Sequence, residues 1–352
     1  MFALSQLHGF NAAASGTRLY GWGFNAQYQL GLGDTTTRQT PAYISNKVFI
    51  IISAGTMIAA GITTDGSLYL WGNGTTVPTK YGTDTWIHVD CGDEHTLAIK
   101  SDGTLWAFGG NANGQIGDGT TTPRASFVQV GSDTTWTKVQ GGQQFSIGLK
   151  SDGTLWAWGD GADYRLGQGD TTSHSSPIQV GSGTSWTDIA VGASHTLALQ
   201  TTALYTFGYN SSGQLGIGNS APNASINSLA GTFTSIGAFG GCSNAIKSDG
   251  TLWVWGRNAN GQLGLGDTSN RTSPAQLGSA TDWTKCCTGS GSCASSYFVN
   301  ASKEIWVAGE NSSYQLGFGD TTQRTTLTHL STAQQWNDLY AGDAFVLAIA
   351  NQ

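Results

Sequence analysis

LYGWG at residues 19–23 is the first of seven similar pentapeptides, each an apolar run that ends in glycine. The other six are LYLWG (68–72), LWAFG (105–109), LWAWG (155–159), LYTFG (204–208), LWVWG (252–256) and IWVAG (305–309). Their closing glycines are separated by 49, 37, 50, 49, 48 and 53 residues. A near-constant period of this length indicates one supersecondary unit that repeats along the chain, with one short copy.

Each full unit is predicted to contain four short strands. The fourth unit shows them as SPIQV (176–180), WTDIAVG (186–192), HTLALQ (195–200) and LYTFG (204–208), with the alternation of half-buried strands. Ser-Asp-Gly turns join the third and fourth strands in several units, as in tight hairpins. We therefore expect an all-β fold, a seven-bladed β-propeller of four-stranded antiparallel blades.

The two ends of the chain complement each other. The first pentapeptide has no Trp-initiated strand upstream, and the last such strand, at Trp336, has no LWxWG downstream. We expect residues 327–330, 336–342 and 346–350 to form three strands of the last blade, and residues 18–23 to add the fourth. This pairing hides two sheet edges that would otherwise invite aggregation. The repeat leaves no linker, so we expect a single propeller domain over 1–352.

Two further motifs recur beside the pentapeptide. A loop of the form N-x-x-G-Q-L-G-x-G-D has its best copies at 111–119, 210–218 and 258–267, and a G-x-x-H-T step occurs at 92–96 and 192–196. This combination resembles the repeat of the regulator of chromosome condensation family, from about residue 19 to residue 350. The resemblance implies that family's seven-bladed propeller. It does not imply the founding member's activity, because one fold hosts many functions.

Composition narrows the classes of partner. Charged residues make up 11% of the chain, against roughly 25% in ordinary globular domains. The net charge is −7 and the 15 Lys and Arg residues are scattered, so no basic stripe is available for nucleic acid. A surface of this kind resembles that of extracellular and virion proteins and suggests a viral or bacterial relative. The first seventeen residues lack signal-peptide features and no segment could span a membrane, so we expect synthesis in a cytoplasm and no membrane insertion.

Residues that could carry chemistry have structural interpretations. Cys286, Cys287 and Cys293 are close in sequence, but the first two occupy a predicted buried strand and the spacing does not suit zinc. His95 and His195 recur at a position where other units have apolar residues, which indicates packing. No Ser, Asp and His arrangement is evident. We expect no enzyme activity, no catalytic residue, no cofactor and no metal.

The thirteen tryptophans raise the alternative of a light sensor. A plant ultraviolet-B photoreceptor belongs to the same family, and its repeats resemble G-W-R-H-T at the His-Thr step. The corresponding stretches here are GDEHT (92–96) and GASHT (192–196). Trp106, Trp156 and Trp253 instead recur within predicted strands, which favours core packing.

Departures from the repeat give the candidate binding residues. The residue after the closing glycine varies and includes Phe24, Tyr209, Arg257 and Glu310, as expected for binding loops on a rigid scaffold. At the fourth loop position three units have Gly114, Gly213 and Gly261, whereas three others have Tyr28, Tyr164 and Tyr314. If that position needs a positive φ, tyrosine is strained there. The candidate partner-binding residues are Phe24, Tyr28, Tyr164, Tyr209, Arg257, Glu310 and Tyr314. The alternative is that the tyrosines only cover their own blades.

The second unit lacks the whole loop. Only NGTTVPTKYGTDT separates Gly72 from Trp86. We expect a notch in the rim at this point.

Two functions fit these features. The first is a non-enzymatic binding or structural module of a phage virion, such as a tail or capsid appendage, that binds other virion proteins or a host-surface receptor and lies on the virion surface. The alternative is a cytosolic protein-interaction scaffold or a nucleotide-exchange factor for a small GTPase. The family's exchange factor acts through a wedge inserted in one blade, and no interval here is long enough for one.

Overall fold

Antiparallel β-strands make up nearly all the regular structure of the chain. The computed structural model describes residues 16–286, 288–289 and 294–351. Most of the N-terminal segment, together with Cys287 and Cys293 of the cysteine cluster, lies outside the described residues. No helix in the described part of the chain has the length and apolar character needed to cross a bilayer.

Among the described residues, four sheets have four strands each. The first holds β10 (Trp136–Gly141), β11 (Phe145–Lys150), β12 (Leu155–Gly159) and β13 (His174–Gln179). The second holds β14 (Trp186–Val191), β15 (His195–Gln200), β16 (Ala203–Gly208) and β17 (Asn223–Leu229). The third holds β18 (Phe233–Phe239), β19 (Cys242–Lys247), β20 (Leu252–Gly256) and β21 (Arg271–Gln276). The fourth holds β22 (Trp283–Cys286), β24 (Ser295–Asn300), β25 (Ile305–Gly309) and β26 (Arg324–Leu330).

The closing blade joins the two ends of the chain, as the sequence predicted. It holds β27 (Trp336–Ala341), β28 (Phe345–Ala350), β1 (Arg18–Gly23) and β2 (Arg38–Ser45), and β23 (Thr288–Gly289) adds a short parallel pairing to β27. β1 pairs with β28 from Arg18 opposite Ala350 to Gly23 opposite Phe345. Each end therefore supplies two strands, and the assignment of residues 327–330 to this blade was wrong, because they belong to β26.

The prediction of seven separate four-stranded blades is also wrong. Five sheets are built on four antiparallel strands, and the remaining strands form one continuous seven-stranded sheet. This fused sheet holds β3 (Phe49–Ala54), β4 (Ile58–Thr63), β5 (Ser67–Gly72), β6 (Thr75–Cys91), β7 (His95–Lys100), β8 (Leu105–Gly109) and β9 (Arg124–Gln129). The cause is the missing loop of the second unit. The chain turns directly at Asn73 and Gly74 into β6, which pairs with β5 near its start and with β7 near its end.

Blade boundaries fall one strand away from the predicted ones. The SPIQV segment was assigned to the same unit as HTLALQ, but it lies in β13, which pairs with β12 through Trp156 opposite Gln179. The loop after each LWxWG strand folds back, so the strand that follows it pairs with LWxWG and forms the outer edge of the same blade. The chain then crosses to the inner strand of the next blade.

Consecutive sheets contact each other around a closed ring, with the inner strands at its centre. Buried indoles link the blades. Trp158 Nε1 donates to the Gln115 carbonyl at 2.9 Å, and Trp22 Nε1 donates to the Gln315 carbonyl at 2.8 Å. Trp71 and Trp255 bind Gln29 and Gln214 in the same way. In each case the glutamine lies in the loop of the preceding blade, so the loops and the core hold each other in place.

The predicted notch of the second unit is filled by aromatic rings. Phe127 of β9 is 9% exposed and packs against Phe108, with the ring centroids 4.6 Å apart. Tyr81 and Trp86 pack on the same ring at 5.1 and 5.2 Å. Phe108 occupies the position that Trp22, Trp71, Trp158 and Trp255 have in other units. The unit before Phe108 lacks the loop, so no loop carbonyl is present for an indole to bind. The notch is therefore a packed apolar cluster.

Candidate protein-binding face

Asparagine side chains fix the loops that follow the LWxWG strands. The buried Asn111 Nδ2 donates to the carbonyls of Thr120 and Thr122 at 3.1 and 3.0 Å, and its Oδ1 accepts from Ile116 N at 3.0 Å. The same three contacts recur at Asn25, Asn210 and Asn258, and two of them recur at Asn311. Since each asparagine satisfies two or three backbone groups, these loops present a fixed surface.

The loop that carries Tyr164 is built differently. Gly161 replaces the asparagine, and a Cβ on it would lie 2.0 Å from the Thr172 carbonyl. Arg165 replaces the glutamine and forms ion pairs with Asp160 at 3.0 Å and Asp163 at 3.1 Å. Arg165 was not among the predicted site residues, although the sequence shows an arginine where the other loops have glutamine. Its ion pairs hold this loop in place of the asparagine.

The fourth loop position does require a positive φ. Gly114 has φ 81°, and Tyr28, Tyr164 and Tyr314 have φ 63°, 61° and 62°. Where glycine occupies the position, the outer strand of the next blade lies too close for a side chain, since a Cβ on Gly114 would be 2.6 Å from Ser175 Cα. The three tyrosines are partly buried, so they adopt a strained conformation with part of the ring against the protein.

Variants at this position distinguish the backbone strain of the tyrosine loops from the steric clash that a side chain would cause in the glycine loops. Tyr314→Gly is expected to change the free energy of unfolding by less than about 1 kcal/mol, because relief of the left-handed φ offsets the lost ring contacts. Gly261→Ala, the matched exchange in the preceding loop, is expected to destabilise by about 1–3 kcal/mol, because its Cβ would meet Thr325 Cα at 2.6 Å. Urea unfolding of both variants measures the difference. Similar losses in both would show that the tyrosine ring is a structural requirement.

Two of the candidate residues meet at one cavity. Tyr209 and Arg257 line a space of about 290 Å³ between neighbouring blades. The other lining residues are Gln143, Ala193, Ser194, Ser211, Ser212, Gln214, Gly240 and Gly241. Tyr209 is 37% exposed, and Arg257 is exposed as well. We call the surface around this cavity the Tyr209–Arg257 site.

The remaining candidates lie outside this cavity. Phe24 is 39% exposed at the start of its loop. Glu310 is partly buried, and its carboxylate accepts from Ser312 Oγ at 2.8 Å and from Asn260 Nδ2 at 3.5 Å. The Tyr314 loop contacts the closing blade, where Gly319 N donates to the Gln39 carbonyl at 3.0 Å. It therefore lies beside the blade that carries Phe24 and Tyr28, as the closure of the ring predicts.

The cavity exists because a turn lacks side chains. Gly240 and Gly241 connect β18 to β19, where the equivalent turns have Asp93 and Glu94 or Gln143 and Gln144. A Cβ on Gly241 would already approach Arg257 Cβ at 3.3 Å. Of the described residues that line the cavity, Arg257 alone is charged. The site therefore offers one cation, one exposed ring and several neutral polar groups.

The recurring histidines are internal. His95 Nε2 lies 2.8 Å from Ser146 Oγ of the next blade, and His195 Nε2 lies 2.8 Å from Ser243 Oγ. Burial lowers the pKa of His95 to about 4 and that of His195 to about 3, so both are neutral near pH 7. Within the described ranges, no three His, Cys, Asp or Glu side chains converge on a possible metal position. The histidines serve to link adjacent blades.

The partly buried tryptophans have a structural partner. Lys150 Nζ lies 3.6 Å from the centroid of the Trp156 ring, and Lys100 and Lys247 lie over Trp106 and Trp253 at 3.8 and 3.5 Å. Such cation–π contacts hold the hairpin that Ser-Asp-Gly closes. These three indoles therefore belong to the blade packing.

Comparison with known proteins agrees with this architecture. Residues 76–352 match the RCC1-like domain, and residues 18–62 match the regulator of chromosome condensation (RCC1) repeat. The structure of Prp20p from Saccharomyces cerevisiae, described together with its binding properties to Gsp1p and histones, superposes with a TM-score of 0.86 at 17% identity. It covers 100% of this chain and 95% of that one. At this identity the likeness shows the fold alone.

Two sequence relatives share part of the chain. Human E3 ubiquitin-protein ligase HERC2 is 31% identical over 150 residues, which is 35% of this chain and 3% of HERC2. The Arabidopsis thaliana ultraviolet-B receptor UVR8 is 34% identical over 116 residues, which is 28% of this chain and 26% of the receptor. This chain thus matches a small part of each relative's length. Because the domain match covers well over half of the sequence, the chain belongs to the RCC1-like domain family.

Proposed function

We propose that this protein is a non-catalytic protein-interaction scaffold, one propeller domain over residues 1–352, whose loop face binds a partner protein. The Tyr209–Arg257 site carries the proposal. An exposed aromatic ring and an exposed guanidinium lie beside a cavity on loops that asparagine side chains hold fixed. Tyrosine and arginine are enriched among residues that dominate binding energy. Rigid loops reduce the ordering cost of binding.

The relatives favour the cytosolic alternative over the virion hypothesis. HERC2, UVR8 and Prp20p come from human, Arabidopsis and yeast. Their activities are properties of those proteins, and HERC2 matches over only 3% of its length. We propose partners that are proteins of the same cell. Phe24, Tyr28, Tyr164, Glu310 and Tyr314 are proposed as secondary contacts on the same face.

The lengths of the loops favour a scaffold over an exchange factor. The six loops run over 24–37, 110–123, 160–173, 209–222, 257–270 and 310–323, and all are equal in length. A wedge of the kind used by the family's exchange factor would need a longer insertion in one blade. We therefore expect no acceleration of nucleotide release from a small GTPase.

Site-directed photo-cross-linking tests the proposal. A benzoylphenylalanine in place of Tyr209 is expected to form covalent adducts with a partner in extract of the native source. The same probe in place of Tyr43, a 48% exposed tyrosine on the outer strand β2, should not. The identified partner, once purified, should bind the Tyr209→Ala variant at least about tenfold more weakly and the Tyr43→Ala variant normally. Equal adducts at both positions, or equal losses of affinity, would contradict a binding site on this face.

A further inference from the structure

We infer that the Tyr209–Arg257 site binds the carboxylate side chains of an acidic segment in the partner protein. This inference rests on the proposed function, since it names the chemistry of the partner that the loop face binds. It is carried by the guanidinium of Arg257, which has no ion-pair partner among the described residues, by the neutral side-chain donors around the cavity, and by the prior engagement of several backbone amides there.

Arg257 differs from the other arginines on the loops and outer strands. Within the described part of the chain, its guanidinium forms no ion pair and no side-chain hydrogen bond. The paired arginines are Arg38 with Asp34, Arg124 with Asp118, Arg165 with Asp160, Arg271 with Asp267 and Arg324 with Asp320. In a chain of net charge −7, one guanidinium is left without a carboxylate beside a concave surface. A guanidinium binds a carboxylate through two parallel hydrogen bonds, so an acidic side chain is its natural partner.

Gln214 supplies a second donor from inside the cavity wall. Its side chain is 2% exposed, and its Oε1 accepts from Ser212 N at 2.9 Å. The other end of the amide, Nε2, donates to no residue that the structure describes. This nitrogen lies 3.9 Å from the position that a Cβ would take on Gly241, which lines the same cavity. An acceptor oxygen in the cavity would complete this group, and the hydroxyls of Ser194, Ser211 and Tyr209 border the same space.

Four backbone amides around the cavity are already engaged. Gln143 N donates to Ala193, Ala193 N to Gly240, Tyr209 N to Ser194 and Arg257 N to Gly241, all at 2.9–3.1 Å. A terminal carboxylate is usually held by a nest of unpaired backbone amides, and these four are not available. The site therefore suits an internal Asp or Glu, which side-chain donors can hold.

Size and charge exclude two other ligand classes. A space of about 290 Å³ is at the lower limit of small-molecule pockets and matches one or two side chains. Phosphorylated motifs are usually read by clusters of arginines, whereas Arg257 is the one cation among the described residues that line this cavity. An unphosphorylated acidic segment is the ligand that both features favour.

Fluorescence anisotropy with three peptides tests the inference. The first is an amidated, labelled peptide Gly-Ser-Glu-Asp-Glu-Ser-Gly, the second replaces its acids by Gln and Asn, and the third is the second with a free terminal carboxylate. We expect the acidic peptide to bind at least about tenfold more tightly than either of the others, with affinity that falls as salt rises. Equal binding of the second peptide, in which Gln and Asn replace the acids, would overturn the inference. Tighter binding of the free-carboxylate peptide would overturn the choice of an internal acid.

Variants separate this inference from the proposed function. Arg257→Gln is expected to weaken binding of the acidic peptide at least about tenfold, and Arg257→Glu is expected to abolish that binding. Lys80→Gln, which removes an exposed charge on the fused sheet, is the matched control and should bind normally. Ala193→Phe, which fills the cavity and leaves the charge, should also block binding. If the partner still cross-links at residue 209 while all three peptides fail to bind, the acidic-segment inference is wrong and the scaffold proposal stands.

Discussion

Truncation at Gly23, which removes β1, is expected to destabilise the whole ring by more than about 5 kcal/mol. β1 pairs with β28 over its full length and with β2 on its other side. Leu19 and Trp22 are completely buried, and Trp22 also donates to the Gln315 carbonyl. Loss of a buried Leu or Trp side chain costs about 2–5 kcal/mol each. The sum approaches the total stability of an ordinary domain.

The truncated protein should melt at a much lower temperature and aggregate, because the edge of β28 becomes exposed. A chain that lacks only residues 1–15 is the control, since it keeps β1. Calorimetry and light scattering on both chains measure the effect. A truncated chain that melts within a few degrees of the control would contradict closure through β1.

The sequence was sufficient to predict the repeat, because buried strands have a strong alternating pattern. It was also sufficient to predict the closure of the ring, because each end of the chain lacked strands that the other end could supply. It did not predict the blade boundaries. The pattern of His174–Gln179 shows a strand, but whether it pairs with the LWxWG strand before it or the Trp-initiated strand after it depends on how the loop folds. The fused sheet was missed for a related reason. The exposed first half of β6 has little apolar alternation that would mark it as one strand with Trp86–Cys91.

The candidate site was predicted in part. Tyr209 and Arg257 were found because they vary at a fixed repeat position, and the structure brings them to one cavity. The sequence could not show the cavity, since it arises from the absent side chains of Gly240 and Gly241, which lie in a different turn. Whether Tyr209 and Arg257, or the other candidates Phe24, Tyr28 and Tyr314, bind a partner stays a prediction.

The sequence also indicates which blades are linked by an indole. A Trp near the end of a strand goes with a Gln in the preceding loop, as for Trp158 and Gln115. Phe108 follows the unit that has no loop, and Phe207 follows the loop in which Arg165 replaces the glutamine. The indoles of Trp22, Trp71, Trp158 and Trp255 each donate to a loop carbonyl, whereas a phenyl ring has no donor to satisfy. A phenylalanine at this position therefore indicates that the preceding repeat lacks the loop glutamine.

A buried carboxyl group near the centre of the ring is expected to make the stability of the protein depend strongly on pH. Asp90 is buried in β6, where its carboxylate accepts from Gly141 N at 2.9 Å and from Ser53 Oγ at 3.2 Å. Burial raises its pKa from 3.8 to about 7, opposed by those two hydrogen bonds and by the positive charge of Lys138. Lys138 itself binds Asp188, and the nearby His88 has a pKa lowered to about 4 by burial. Asp90 is therefore the buried acid of this region that changes charge near neutral pH.

Asp90 is expected to make the protein less stable as pH rises. Its folded-state pKa lies above the unfolded value, so the folded protein holds the proton more tightly, and the stability this provides is fully present below about pH 4 and lost as pH rises to about 7. Relative to Asp90→Asn, which cannot ionise, the free energy of unfolding of the native protein should fall by about 2–3 kcal/mol between about pH 5 and about pH 8. Urea unfolding across this range measures the difference, with the exposed Asp282→Asn as the matched control. If the native and Asp90→Asn proteins lose stability in parallel, the carboxyl group is already ionised at pH 5 and the inner strands hold it as a charged group.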